Sequence, residues 1–351
     1  MRFERKLFWL VALMCAVLAG CGGDGREPVV VYSPHGRDLL EAVEAAFEEA
    51  NPDLDMRWLD MGSQEVLERI RSERANPQAD VWFGGPSVLF ARAAADGYLA
   101  STAPSWAPGV PAELRPASGM HLPLYLTPTF IVYNSSAFEQ DPALGDPPAD
   151  WDDLLDSKWT DRILIRDPLA SGTMRTLFGF LLTRGLEQGL SLEDSVEAGF
   201  DWLLRLDGQT KEYVPSPALL HEKIMRQEGL VTLWEMTDIL TLRSKDAPLA
   251  YRFPAGGAPV IEDSVALVEG AKHSQAAERL VEWLGSEEAL LLATTAYRLP
   301  AVEGVQGLPA WVDEVRAELR TAPMRWDLLE ELGAEWMARW DREVRAQGSA
   351  P

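Results

Sequence analysis

Cysteine is nearly absent. The two in this 351-residue chain are Cys15 and Cys21, both near the N-terminus, so the rest of the chain holds no thiol for a disulfide or a cysteine-ligated metal. Positive charge is also short: 32 Lys and Arg against 55 Asp and Glu give a net charge of −23. Binding to nucleic acid needs basic patches that neutralise phosphates, so that class is excluded. The histidines His35, His121, His221 and His273 lie far apart and show no metal-ligand spacing with one another. Of these, His121, His221 and His273 read as structural or surface residues. No Gly-x-Ser-x-Gly run marks a hydrolase nucleophile, and no reaction is expected of the chain. Beyond Leu18 no run is apolar enough to cross a membrane. There is no internal repeat and no low-complexity segment.

What the chain does have begins at its start. Arg2, Arg5 and Lys6 precede an apolar run from Leu7 to Leu18, followed by Leu18-Ala19-Gly20-Cys21. This is a secretory signal, and its ending resembles a bacterial lipoprotein signal. The resemblance implies that residues 1–20 are removed and that Cys21 carries lipid, with 21–27 as a tether. The alternative is a plain signal with an incidental cysteine.

From residue 28 the pattern alternates. Val29–Tyr32, Leu54–Leu59 and Asp80–Phe83 read as strands, separated by helical stripes at Leu39–Phe47 and Gln64–Ala75 that stop at Asn51-Pro52 and Asn76-Pro77. Strand and helix in turn predict a parallel α/β sheet, whose ligands sit beyond the carboxyl ends of the strands. The turns Ser33-Pro34-His35-Gly36 and Gly84–Ser87 fall there. Residues 101–118 read as irregular, and His121–Tyr125 and Thr129–Asn134 as extended. Thr127-Pro128-Thr129 reads as a crossing to a second lobe, with Tyr251–Pro254 crossing back. Helices are expected from Trp151–Leu155 and at 193–206, 216–227 and 236–244, strands at Val231–Trp234 and Ser264–Val268, and a further helix on Ala277, Leu280, Val281 and Leu284. Residues 308–346 read as wholly helical, packed through Trp311, Trp326, Trp336 and Trp340.

The most informative stretch is Ile165–Phe178. Arg162–Ile165 reads as a strand, and Met174, Leu177, Phe178 and Leu181 as one helix face. Between them lies Ser171-Gly172-Thr173. A hydroxyl caps free first-turn N–H groups, glycine admits close approach, and a helix start favours an anion. An ordinary helix cap and an anion site are both open on this evidence. Asp167 would repel an anion at close range, or else lock the turn by accepting N–H groups; Arg166 or Arg175 would offset its charge.

Val31-Tyr32-Ser33-Pro34-His35-Gly36, Asn76–Val81, Tyr133-Asn134-Ser135, Asp167–Thr173, Val260–Asp263 through Lys272-His273, Tyr297-Arg298-Leu299-Pro300 and the Trp336–Trp340 ending together resemble one family. It is that of the extracellular solute-binding proteins of ABC importers, of the iron(III)/phosphonate/sugar-phosphate type. The resemblance implies an α/β, two-lobe periplasmic-binding-protein fold of type 2, each lobe a mostly parallel sheet flanked by helices, with the ligand cleft between. Lobe 1 would be 28–127 plus about 255–300, lobe 2 128–254, and 301–351 a C-terminal helical segment. It also implies a monomer with no cofactor, lipid-anchored in the periplasm or at the cell surface, whose partners are a small solute and a membrane permease. A sensory lipoprotein reusing the fold is an alternative. The candidate solute-binding residues are Ser33, His35, Gly36, Gly85, Ser171, Gly172, Thr173, Trp234 and Glu235. Ferric-binding members carry a histidine at the place of His35 and two adjacent tyrosines in the second lobe. No Tyr-Tyr pair occurs here, and the matching stretch is Trp234-Glu235-Met236-Thr237-Asp238. A ferric site would therefore depend on His35 with Glu235 or Asp238, and an anionic solute such as a phosphonate, phosphate ester or carboxylate is the stronger expectation.

Overall fold

The computed structural model describes residues 25–345; the signal segment, Cys21 and most of the tether lie outside them. Among the described residues eleven strands form the sheets: β1 Glu27–Ser33, β2 Leu54–Asp60, β3 Val81–Pro86, β4 Leu99–Ala100, β5 Leu122–Asn134, β6 Ile163–Arg166, β7 Thr210–Val214, β8 Val231–Glu235, β9 Leu249–Arg252, β10 Val260–Val268 and β11 Leu299–Pro300. Their order is β2-β1-β3-β10-β5-β8-β6-β7, with β4 on β10 and β9 and β11 on β5. Strand β5 is common to both lobes. Its residues up to Pro128 pair antiparallel with β10, and from Thr129 onward they pair antiparallel with β8 and β9. Away from β5 the pairing is parallel: β1 with β2 and β3 in the first lobe, β6 with β7 and β8 in the second.

Both faces of the first-lobe sheet are covered, so its strands carry apolar residues in both directions rather than alternating with polar ones. Val31, Val81 and Phe83 pack with Phe47 and Leu280 on one side. Their sequence neighbours Tyr32 and Trp82 pack with Ile70 and Phe90 on the other. The second-lobe core joins Trp151, Trp159, Phe178 and Trp234 to Val312, Trp336 and Trp340 of the C-terminal segment. The helix Gly172–Thr183 lies so close to that segment that a Cβ on Gly179 would stand 2.7 Å from Leu329 Cγ.

The C-terminal segment is not one helix. Ala310–Glu318 and Trp326–Trp340 are separate helices, followed by a π turn at Asp341–Arg345. Between the two, Thr321 bridges to Ala258, and Pro323 disfavours helical geometry in the residue before it. Trp151–Leu155 is a 3₁₀ turn with an Asp150 capping box rather than the start of an α-helix. Tyr251 and Arg252 are paired within β9, and Ala255, Gly256 and Gly257 still bond Ala149, Asp150 and Trp151; pairing with the earlier half of β5 begins at Val260, opposite Pro128.

Candidate functional site

The registers on β5 bring the carboxyl ends of both parallel sets together. Pro86, at the end of β3, lies opposite Asp263, and Asp263 opposite Tyr125; Glu235, at the end of β8, lies opposite Thr129. Tyr125 and Thr129 are four residues apart on one strand, about 13 Å. The turns leaving β1, β3, β6 and β8 therefore border a common cleft.

On the first lobe, Ser33 is fully buried and its hydroxyl accepts the His35 N–H at 3.2 Å. Gly36, at φ +79°, precedes the helix Arg37–Ala50 in a conformation that other residues disfavour. His35 turns inward. Its ring packs edge-on against Phe83 at 4.6 Å and Tyr125 at 5.7 Å and covers Gly84, where a Cβ would meet Nε2 at 2.2 Å. Burial, and then the charge of Arg298, holds the imidazole pKa well below its usual value, so His35 is neutral. Nε2 is buried without a partner, as are the Tyr125 hydroxyl and Arg298 Nε. The Gly85 N–H is committed to Asp263 Oδ1 at 3.1 Å, and Asp263 Oδ2 accepts from Thr127 at 2.7 Å.

On the second lobe, Ser171 caps the helix Gly172–Thr183, its hydroxyl accepting the Met174 N–H at 3.2 Å. The N–H groups of Gly172 and Thr173 are first-turn donors with no acceptor in the helix itself. Gly172 is exposed, with nothing within 4 Å of an added Cβ. The loop leading to this turn is fastened from three sides. Asp167 accepts from Leu169 N at 2.8 Å and from Arg345 at 3.1 Å. Arg166 donates to the carbonyls of Val214 and Ala170, both at 3.1 Å. Arg175 donates to those of Pro168 and Leu169. Both arginines thus hold backbone and bring positive charge near the helix start.

Beside it, Glu235 caps the helix Met236–Arg243, accepting from Thr237 N at 2.7 Å and Asp238 N at 3.0 Å. Burial and the neighbouring Asp238 carboxylate push its pKa up to about 8, against the pull of Arg298 and the two N–H donors. Trp234 is only 4% exposed, and its indole donates to Asp238 Oδ2 at 2.9 Å. It is therefore a wall of the second-lobe core, not an open stacking surface. His221 stands edge-on to Trp234 at 5.8 Å, with Nε2 3.9 Å from Asp238.

Sequence reasoning did not single out Tyr125, Asp263 or Arg298 for the cleft. Arg298 follows Tyr297, a non-glycine residue at φ +55°; such strain marks functional sites in many folds, and nothing local in the sequence announces it. His121 is buried beside Phe90, its pKa lowered by burial to about 4. His273 bonds Asp80 at 2.9 Å, by the strand entering β3. Among the described residues, no group of three or more His, Cys, Asp or Glu is arranged to hold a metal ion, and no helix is long and apolar enough to cross a membrane.

Residues 42–318 match the bacterial extracellular solute-binding protein family. The chain belongs to that family. This solute-binding protein is 25% identical to a probable ABC transporter periplasmic-binding protein, y4fP, of Sinorhizobium fredii, over 97% of this chain and 93% of that one. It is 27% identical to a putative 2-aminoethylphosphonate-binding periplasmic protein of Salmonella typhimurium, over 93% and 99%. Its fold superposes with TM-score 0.73 on the periplasmic binding protein AfuA of Actinobacillus pleuropneumoniae with fructose-6-phosphate bound, at 21% identity, covering 92% of this chain and 99% of AfuA.

Proposed function

We propose that this solute-binding protein is the extracytoplasmic receptor of an ABC importer, which captures a small anionic solute between its lobes and delivers it to a membrane permease. The observation that carries the anion is the Ser171–Thr173 turn: a capped helix start at a strand's carboxyl end, open at Gly172 and fastened from behind by Arg166, Asp167 and Arg175. The phosphonate and sugar-phosphate names among its relatives agree with such a solute. A bare ferric ion as cargo fits less well, because the paired tyrosines are missing and His35 points Nε2 at Gly84. The protein acts as a monomer, held to the membrane by lipid on Cys21, with a hinge at Thr127–Thr129 and after Pro254. It transforms nothing.

A hydrogen bond to a charged group contributes about 1.5–3 kcal/mol, so Thr173→Ala should weaken binding roughly ten- to a hundredfold. Gly172→Val should abolish it without unfolding the protein, since the added side chain meets open space in the unliganded turn. Calorimetry with the solute retained on purification tests both. Wild-type affinity in both variants would place the anion elsewhere.

A further inference from the structure

Arg298 stands between the lobes with its hydrogen-bond donors unused. It belongs to the segment Tyr297–Pro300, which is held from both sides. Leu299 and Pro300 pair with Leu126 and Tyr125 on β5. From the other side, the Tyr297 ring meets Trp311 at 5.5 Å, and the Pro300 carbonyl accepts from Arg316 at 3.2 Å, both on the helix Ala310–Glu318. Tyr297 sits at φ +55°, a conformation that glycine adopts more easily. The turn that carries Arg298 is thus fixed by tertiary contacts rather than by local preference. The Arg298 side chain is 17% exposed, and its nearest carboxylate, Asp263, stands 3.9 Å away, beyond hydrogen-bond distance. Both Asp263 oxygens are already engaged, by the Gly85 N–H and the Thr127 hydroxyl. Nε is buried without a partner, and among the described residues the guanidinium makes no hydrogen bond. A guanidinium has five donors in a planar fork, and buried donors are ordinarily satisfied. Arg166 and Arg175, by contrast, direct theirs to loop carbonyls. The position of the charge follows from the groups that feel it. Burial is the main cause of the pKa shifts of His35, Tyr125 and Glu235, and the charge of Arg298 acts on all three. His35 and Tyr125 belong to the first-lobe wall, and Glu235 ends β8, the neighbour of the strand that leads into the Ser171 turn.

Building on the anion reading above, we propose that Arg298 is a solute-binding residue, its guanidinium gripping from the cleft floor the same oxyanion that the Ser171–Thr173 turn holds by its N–H groups. The turn and the guanidinium stand on the two sides of the β8 end. Two donors facing each other across one oxyanion, each about 2.9 Å from an oxygen, are separated by between one and two strand spacings of about 4.8 Å. Asp263 holds the fork by charge without using its donors, which leaves them for the solute. The empty protein keeps a largely buried guanidinium without acceptors, and the solute supplies them. Removing Arg298 should therefore harm binding and not the fold.

The test is calorimetry with inorganic phosphate and with ethylphosphonate, together with melting curves of each variant without probe. Arg298→Gln should weaken the probe that binds by roughly ten- to a hundredfold. Arg298→Lys keeps the charge but not the fork, and should recover only part of that loss. Each probe carries a single oxyanion, so weakening by both Thr173→Ala and Arg298→Gln means that the turn and the arginine hold one group. The melting temperature of empty Arg298→Gln should stay level or rise, which the loss of a merely structural arginine would not give. If Thr173→Ala weakens the probe and Arg298→Gln leaves it at wild-type affinity, or if empty Arg298→Gln melts more than about 4 °C lower, the role of Arg298 is overturned while the anion reading stands. If neither probe binds the wild type, or if Thr173→Ala binds as the wild type does, the anion reading falls and the shared grip with it.

Discussion

Gly84 and His35 show how tightly one wall of the cleft is built. A methyl group at Gly84 would meet a buried imidazole and sit at φ +95°. Overpacking and left-handed strain each contribute on the order of 1–3 kcal/mol, so Gly84→Ala should cost about 2–4 kcal/mol in urea denaturation. Adding His35→Ala should recover part of the loss, because the clash is with that ring. Independent, additive costs for the two changes would contradict this packing. The titrating groups set a pH dependence with two limbs. Glu235 and Glu262, pushed up by burial to about 8 and about 7, keep their protons in the folded state where an unfolded carboxyl has lost them. The native state then binds more protons, and stability falls as pH rises from about 4.5 to 8. His35 and His121 act oppositely: held neutral when folded, they take up protons on unfolding, and stability falls as pH drops below about 6.5. The limbs overlap between about 4.5 and 6.5 and offset each other there, so the melting temperature should be nearly flat across that window and fall as pH rises from about 6.5 to 8, and Glu235→Gln should flatten that fall.

At the scale of elements, the Ser171 helix start depends on a contact 178 residues away in the chain. Arg345 bonds Asp167, which accepts the Leu169 N–H, and the same guanidinium lies over Trp340 at 5.2 Å. The pair is partly exposed, so Arg345→Gln should cost less than about 1 kcal/mol of stability. If Arg345 positions the turn, solute affinity should fall by up to about fivefold while the melting temperature moves by a few degrees at most. Unchanged affinity would make the bond a surface pair only. Which elements could be read from sequence follows the physics. Val29–Tyr32 and Asp80–Phe83 were legible because both their faces are buried and their flanking helices end at Asn-Pro. The Ser171 cap was legible because a hydroxyl, a glycine and an apolar stripe stand in order. Strand β7, Thr-Lys-Glu-Tyr-Val, was not, since its residues are mostly half-buried at a sheet edge. The break before Trp326 was hidden because apolar periodicity resumes past Pro323, although that proline and the bridge from Thr321 to Ala258 together separate the two helices. Arg298 reaches the cleft through the return of the chain along β11, a tertiary event without a local signature.

For the whole molecule, β5 is the decisive strand. It passes its pairing from β10 at Pro128 to β8 at Thr129 and gains β9 from Ile131, so the lobes share one continuous backbone while keeping separate cores. Such an arrangement suits a closure biased by whatever bridges the two walls. The net charge of −23 does not oppose the proposed anion at close range: long-range repulsion is screened within about 8–10 Å at ordinary ionic strength, and the helix start with its two arginines acts inside that distance. The central claim is that an oxyanion occupies the Ser171–Thr173 turn between the lobes. A crystal structure of the protein purified without refolding, with its retained solute, tests this most directly. The expected result is a phosphonate, phosphate or carboxylate oxygen about 2.7–3.2 Å from the Gly172 and Thr173 N–H groups. A retained solute that lacks an oxyanion, or one whose oxyanion lies away from that turn, would contradict the claim.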